Sequence, residues 1–104
     1  MGWQVIIAPS AQADLESVVR FVAWQNSDAA ARIGHELIVR AEGLAAFPQM
    51  GRIVPEFQRE ALREIICRSY RITHRVRPER QCIEMVRFWH GARGFPQIPQ
   101  GDQP

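Results

Sequence analysis

Lysine is absent from the 104 residues, so all thirteen basic side chains are arginines. Every cation is therefore a planar guanidinium, suited to bidentate contact with a carboxylate or a phosphate. Cysteine is scarce. Cys67 and Cys82 are the two present, each inside an apolar run, and their spacing is not that of a metal site. We expect both to be buried, reduced and structural, with no metal and no cofactor. No apolar run approaches the roughly 18 residues of a membrane span. The opening MGWQVIIAPSAQ lacks the basic start of a secretory signal. The expected setting is the cytoplasm, with no membrane partner.

What is present is a charge asymmetry. The net charge is only +2, yet residues 52–93 hold ten arginines against five acids, while residues 1–51 hold three against five. A basic second half points to an anionic partner. The arginines concentrate in Leu62–Arg93. Within it Tyr70–Arg77 alternates: Tyr70, Ile72, His74 and Val76 on one side, Arg71, Thr73, Arg75 and Arg77 on the other. Period-two alternation is the mark of a strand with one buried and one wet face. The wet face is thus expected to be cationic, with Arg63, Arg71, Arg75, Arg77 and Arg87 as partner-binding residues. His74 belongs at the edge of the core, and His35 on the surface.

The remaining elements follow in order. Trp3–Ala8 is a short β-branched run stopped by Pro9, read as a strand. Ser10 is the expected cap of a helix over 11–25, with Leu15, Val18 and Val22 inward and Val19 and Phe21 on the flank. Ser27 should cap a second helix over 28–46, whose stripe is Ala30, Ile33, Leu37, Ala41 and Leu44. The short connection makes the two an antiparallel hairpin. Residues 47–57 carry two prolines and a glycine and read as a loop. Leu62–Arg68, Tyr70–Arg77 and Cys82–His90 follow as strands, joined too tightly for crossovers, so they should form an antiparallel meander. The last is apolar on both faces and so should be covered on both sides or paired centrally. The expectation is an α+β domain over 1–93, β-α-α-β-β-β, an antiparallel sheet with a helical hairpin on one face. The Pro-, Gly- and Gln-rich residues 94–104 are expected to be a flexible tail.

Several motifs in this order resemble the RelE/ParE toxin superfamily of type II toxin–antitoxin modules, also described as plasmid stabilisation proteins. They are Ala-x-x-Asp-Leu (Ala11, Asp14, Leu15), Leu-x-x-Phe-Pro-x-x-Gly-Arg-x-Val-Pro-Glu (Leu44 to Glu56), Leu-Arg-Glu-Ile (Leu62–Ile65), Tyr-Arg-Ile (Tyr70–Ile72) and His-x-x-Arg (His90, Arg93). The resemblance implies a toxin neutralised by a cognate antitoxin. It also implies one of two actions. The RelE-like branch cleaves messenger RNA on the ribosome, and the matching positions are Arg71 and Arg93, with His90 as the remaining candidate acid or base. The ParE-like branch poisons DNA gyrase without that catalytic set. RelE-like members usually carry lysines on the second strand and a tyrosine or histidine after the last. Here Leu62–Arg68 has no lysine, and beyond Arg93 only Asp102 titrates. The Gly-Arg-x-Val-Pro-Glu loop also looks ParE-like. The expectation is therefore a gyrase inhibitor rather than an enzyme. The alternatives are a ribosome-dependent endoribonuclease and a diverged inactive member. The antitoxin is expected to be acidic where it meets Arg71, Arg75 and Arg77, laying a helix or strand over apolar surface nearby.

Overall fold

The computed structural model describes residues 3–99. It contains the expected elements, with boundaries set by local chemistry: β1 (Gln4–Ile7), α1 (Pro9–Ala23), α2 (Ser27–Glu42), β2 (Arg52–Ile53), β3 (Leu62–Cys67), β4 (Tyr70–Arg77) and β5 (Cys82–His90). Pro9 does not merely end the strand. It opens α1, where its fixed φ is already helical and its missing N–H is not needed. Ser10 is therefore not the cap. Its hydroxyl donates to the Val86 carbonyl at 2.6 Å and pins the start of α1 to the sheet. The cap of α2 is Asn26 rather than Ser27, its side chain accepting from the Ala29 N–H at 3.0 Å. Beyond Glu42 the chain tightens into a 3₁₀ turn, Gly43–Ala45, which buries Leu44. At the helix crossing Gly34 admits Val19, whose Cγ2 lies only 2.9 Å from where a Cβ at residue 34 would stand.

The strands order as β1-β5-β4-β3-β2. The meander β3-β4-β5 is antiparallel as expected, but β1 joins β5 in parallel, so the sheet is mixed. The helical hairpin is the crossover that makes this possible. The loop over 47–57 hides β2, two residues paired antiparallel to β3. Gly51 precedes it with φ +95°, and a Cβ there would stand 2.4 Å from the Glu64 carbonyl oxygen. No other residue lets β2 approach β3 so closely.

Two cores sandwich the sheet. Against the helices lie Ile65, Cys67, Ile72, Ile83, Met85 and Phe88, packed with Ala11, Leu37, Ala41 and Leu44. On the opposite face a smaller cluster, Ala8, Val54, Leu62 and Val86, is overlaid by Phe95 and Ile98. The tail expected to be flexible thus contributes its residues 94–99 to a second layer, and the rest of it lies outside the described residues. β5 is covered on both faces and, over Cys82–Met85, paired on both edges, which accounts for its apolar residues on either side. Both cysteines are free and buried. Among the described residues no helix is long and apolar enough to cross a membrane.

His74 is fully buried, on the same face as Ile72 and Val76, at a bulge where Val86 is the extra residue of β5. Burial pushes its pKa down to about 4, with the backbone of Ile72 and Met50 offsetting part of the effect. Neither ring nitrogen has a partner of hydrogen-bond geometry. The unfolded chain takes up this proton near pH 6.5, whereas the folded chain holds the ring neutral until about pH 4. Stability is therefore full above pH 6.5 and falls as the pH drops from 6.5 toward 4, by up to about 3 kcal/mol. The paired carboxylates Glu36 and Glu56, held below their ordinary 4.5, add their own loss only at lower pH. Urea unfolding of His74→Leu should show a flat stability between pH 6.5 and 5, where the wild type declines.

Candidate functional site

The second face of the sheet is not wet. Arg71, Thr73, Arg75 and Arg77 do point away from the helices, but Arg71 and Thr73 are buried. Glu64 on β3 is fully buried beside Arg71. Arg71 Nε donates to Glu64 Oε1 at 2.7 Å and Nη2 to Oε2 at 3.1 Å. Its outer edge forms a fork with Glu56, Nη1 to Oε2 at 3.0 Å and Nη2 to Oε1 at 2.9 Å. Nη1 also reaches the Gly94 carbonyl at 3.5 Å, and the guanidinium lies 4.5 Å from the Phe95 ring centroid. Arg52 closes the other side of Glu64, Nε to Oε2 at 2.7 Å. The Arg71 guanidinium is held firmly charged, and its hydrogen bonds keep the Glu56 carboxyl below its ordinary value.

The other expected partner-binding cations are also engaged internally. Arg75 donates to Glu84 at 2.9 Å and to the Pro99 carbonyl at 2.8 Å. Arg77 stands 3.6 Å from the same carboxylate. Arg87 forms a fork with Asp14 at 2.7 and 2.8 Å and donates to the Gln97 carbonyl at 2.7 Å. Arg63 braces the loop carbonyls of Glu60, Gln49 and Gly51. The expectation of a solvated guanidinium row is corrected on this point. Alternation reports which residues share a face, and it cannot tell water from a second protein layer.

The open surface lies elsewhere. β1 pairs only with Cys82–Met85 of β5, so the edge of β5 beyond Met85 faces α1 instead of a strand. Side chains of α1 satisfy its first polar groups: Ser10 takes Val86 O, and the Phe88 N–H donates to Asp14 at 3.0 Å. Past Asp14 the two elements separate and leave a cleft of about 810 Å³. Val18, Phe21, Tyr70, Trp89, His90 and Arg93 line it together with the Asp14–Arg87 pair. His90 Nδ1 accepts from the Ala92 N–H at 3.1 Å, and the ring meets Tyr70 edge-on at 5.2 Å. Trp89 is flanked by two guanidiniums, Arg93 at 4.0 Å and Arg87 at 4.6 Å from its ring centroid.

The sequence matches the family described as "ParE toxin of type II toxin-antitoxin system, parDE" over residues 5–95. The chain belongs to the ParE toxin family. Among solved structures it is similar to the chromosomal ParDE toxin–antitoxin system from P. aeruginosa, with a TM-score of 0.69, 15% identity, and coverage of 85% of this chain and 95% of that one. It is also similar to the toxin–antitoxin complex RelBE2 from Mycobacterium tuberculosis, with a TM-score of 0.65, 19% identity, and coverage of 86% and 99%. At such identities the likeness is one of fold. No curated protein matches the sequence.

Within this ParE toxin the three residues weighed for catalysis do not converge. Arg71 pairs across the ladder with Trp89, and Tyr70 with His90, so Arg71 and His90 point to opposite faces. His90 and Arg93 share the cleft, whereas Arg71 is sealed under the 94–99 strap. Residues not singled out in sequence do much of the organising. Glu64 and Glu56 lie inside quoted motifs, but only the fold brings them to Arg71. Asp14 reads as a dipole-favouring acid in α1, yet it holds Arg87 and the β5 edge. Among the described residues no group of three or more His, Cys, Asp or Glu side chains gathers as a metal site.

Removing Arg71 would leave Glu64 buried against a lone partially exposed Arg52. Breaking one side of a buried pair typically costs about 3–5 kcal/mol. Urea denaturation of Arg71→Ala should register a loss of that order, whereas Arg68→Ala, which removes the solvent-exposed pair with Glu36, should be indistinguishable from wild type.

Proposed function

We propose that this toxin acts by docking on a protein target, with DNA gyrase the target the ParE-like reading favours, and that a cognate antitoxin neutralises it in the cytoplasm. The observation that carries this is the state of Arg71. A cation meant to stabilise a pentacoordinate phosphate must have donors free where the charge develops. Those of Arg71 are already taken by Glu64, Glu56 and the strap. The antitoxin reading shifts with it. Acids of a partner have little to gain from Arg71, Arg75 and Arg77, whose own carboxylates are in place, so apolar anchors should dominate. The helical hairpin offers them: Phe21 is 69% exposed and Trp24 86%, with Val39 also open. The RelBE2 and ParDE structures are complexes of toxin with antitoxin, which supports a partner of that kind here.

A second reading keeps one observation in its favour. His90 and Arg93 share a cleft, and an imidazole beside a guanidinium could serve a ribosome-dependent endoribonuclease.

Purified, antitoxin-free protein added to a gyrase supercoiling reaction should suppress supercoiling and accumulate linear, cleaved DNA. Unimpaired supercoiling at high excess of toxin overturns the gyrase reading, and cleavage of ribosome-bound message by the same preparation would establish the second.

A further inference from the structure

The cleft between α1 and the end of β5 holds hydrogen-bond donors with no acceptors. Asp14 is its one carboxylate, and that group is spent: Arg87 Nε, Arg87 Nη2 and the Phe88 N–H all donate to it. Arg93 stacks on Trp89, which fixes its position, yet among the described residues it meets no carboxylate. His90 accepts the Ala92 N–H on Nδ1, which places a ring N–H on Nε2, a second donor that meets no acceptor among the described residues. The indole of Trp89 lines the cleft, and its Nε1, buried, has no hydrogen-bond partner among the described residues. Opposite these donors stands an apolar wall, Val18 and Phe21, the latter largely exposed.

We infer that this cleft binds an acidic side chain flanked by aliphatic residues on a partner polypeptide, the carboxylate meeting Arg93 and His90 and the aliphatic neighbour covering Phe21 and Val18. The proposal rests on the reading of this protein as one that acts by docking, and it names the surface. Charge complementarity selects the occupant. One guanidinium that meets no carboxylate among the described residues and one imidazole N–H match a single carboxylate. A nucleic acid would bring successive phosphates past the Asp14 carboxylate and an apolar wall, and phosphate binding is strong only where several cations line up. Burying Phe21 against an aliphatic chain supplies the nonpolar anchor that a polynucleotide backbone lacks.

The test uses the full chain, isotopically labelled, and three probes: acetyl-Leu-Glu-Leu-amide, its Leu-Gln-Leu analogue, and octa-uridylate. The Glu peptide should shift the signals of the Trp89 indole, His90 and Phe21. The Gln peptide should bind about tenfold more weakly, as expected when a charge-assisted contact is replaced by a neutral one. Arg93→Glu should erase that preference and favour acetyl-Leu-Lys-Leu-amide instead. Arg93 is on the surface, so this variant should fold, and an unchanged spectrum away from the cleft checks it. Equal binding of the Glu and Gln peptides, shifts centred elsewhere, no shift at any soluble concentration, or a stronger response to octa-uridylate each overturn the inference. Gyrase inhibition is read separately. If it is present while the peptides fail, the cleft is refuted and the docking function stands; if it is absent while the peptides bind, the cleft serves a different protein.

Discussion

The pair of Arg71 with the fully buried Glu64 is the constraint on which the rest of this molecule depends. A carboxylate with no solvent exposure must be matched, and here it is matched from two strands: Arg71 on β4 and Arg52 on β2. Matching it fixes the register of β2 against β3, which Gly51 permits. Arg71 then has donors left over, and these draw in Glu56 from the preceding loop and the Gly94 carbonyl from the strap. One guanidinium thereby ties together a loop, three strands and the chain's last described segment. Phe95 lies on it and meets Phe57 edge-on at 5.3 Å, so the polar centre is roofed by aromatic rings.

This arrangement changes what the arginine-rich composition means. Ten arginines in residues 52–93 suggest an electrostatic surface aimed at a polyanion. Most of those on the sheet are instead structural, holding carboxylates and backbone carbonyls of their own chain. A fold that offers its second sheet face in this way has converted a potential binding surface into a second core. Two surfaces open to partners are the exposed apolar side chains of the helical hairpin and the cleft where β5 runs beyond its pairing with β1. Both suit protein–protein recognition. A toxin of the ParE family that works by docking is consistent with that division of labour.

The sequence carried much of the fold. The stripe Ala30, Leu37, Ala41 and Leu44, the alternation in Tyr70–Arg77 and the doubly apolar Cys82–His90 each placed their residues on the right face. It carried the site poorly, for physical reasons. Alternation cannot distinguish solvent from a covering strap, and composition alone made 94–99 look loose, although Phe95, Pro96 and Ile98 are the apolar residues that seat it. The acids that neutralise the arginines come from other elements: Asp14 with Arg87, Glu56 with Arg71 and, across the β4–β5 hairpin, Glu84 with Arg75. Such pairs leave no local spacing to read. The parallel entry of β1 and the two-residue β2 were invisible for the same reason, since both are set by long-range pairing. The α1 cap expected at Ser10 falls two residues earlier, at Ala8, because Pro9 opens the helix, and the α2 cap falls one residue earlier, at Asn26.

The most direct measurement on this account is the exchange of arginine side-chain Nε protons with water, followed by NMR at neutral pH. If Arg71 is locked by Glu64 beneath the strap, its Nε–H should exchange far more slowly than that of the exposed Arg32, and it should remain protected when octa-uridylate is added. An Arg71 Nε–H that exchanges as fast as Arg32, or that shifts on adding the oligonucleotide, would contradict the claim that this face is closed.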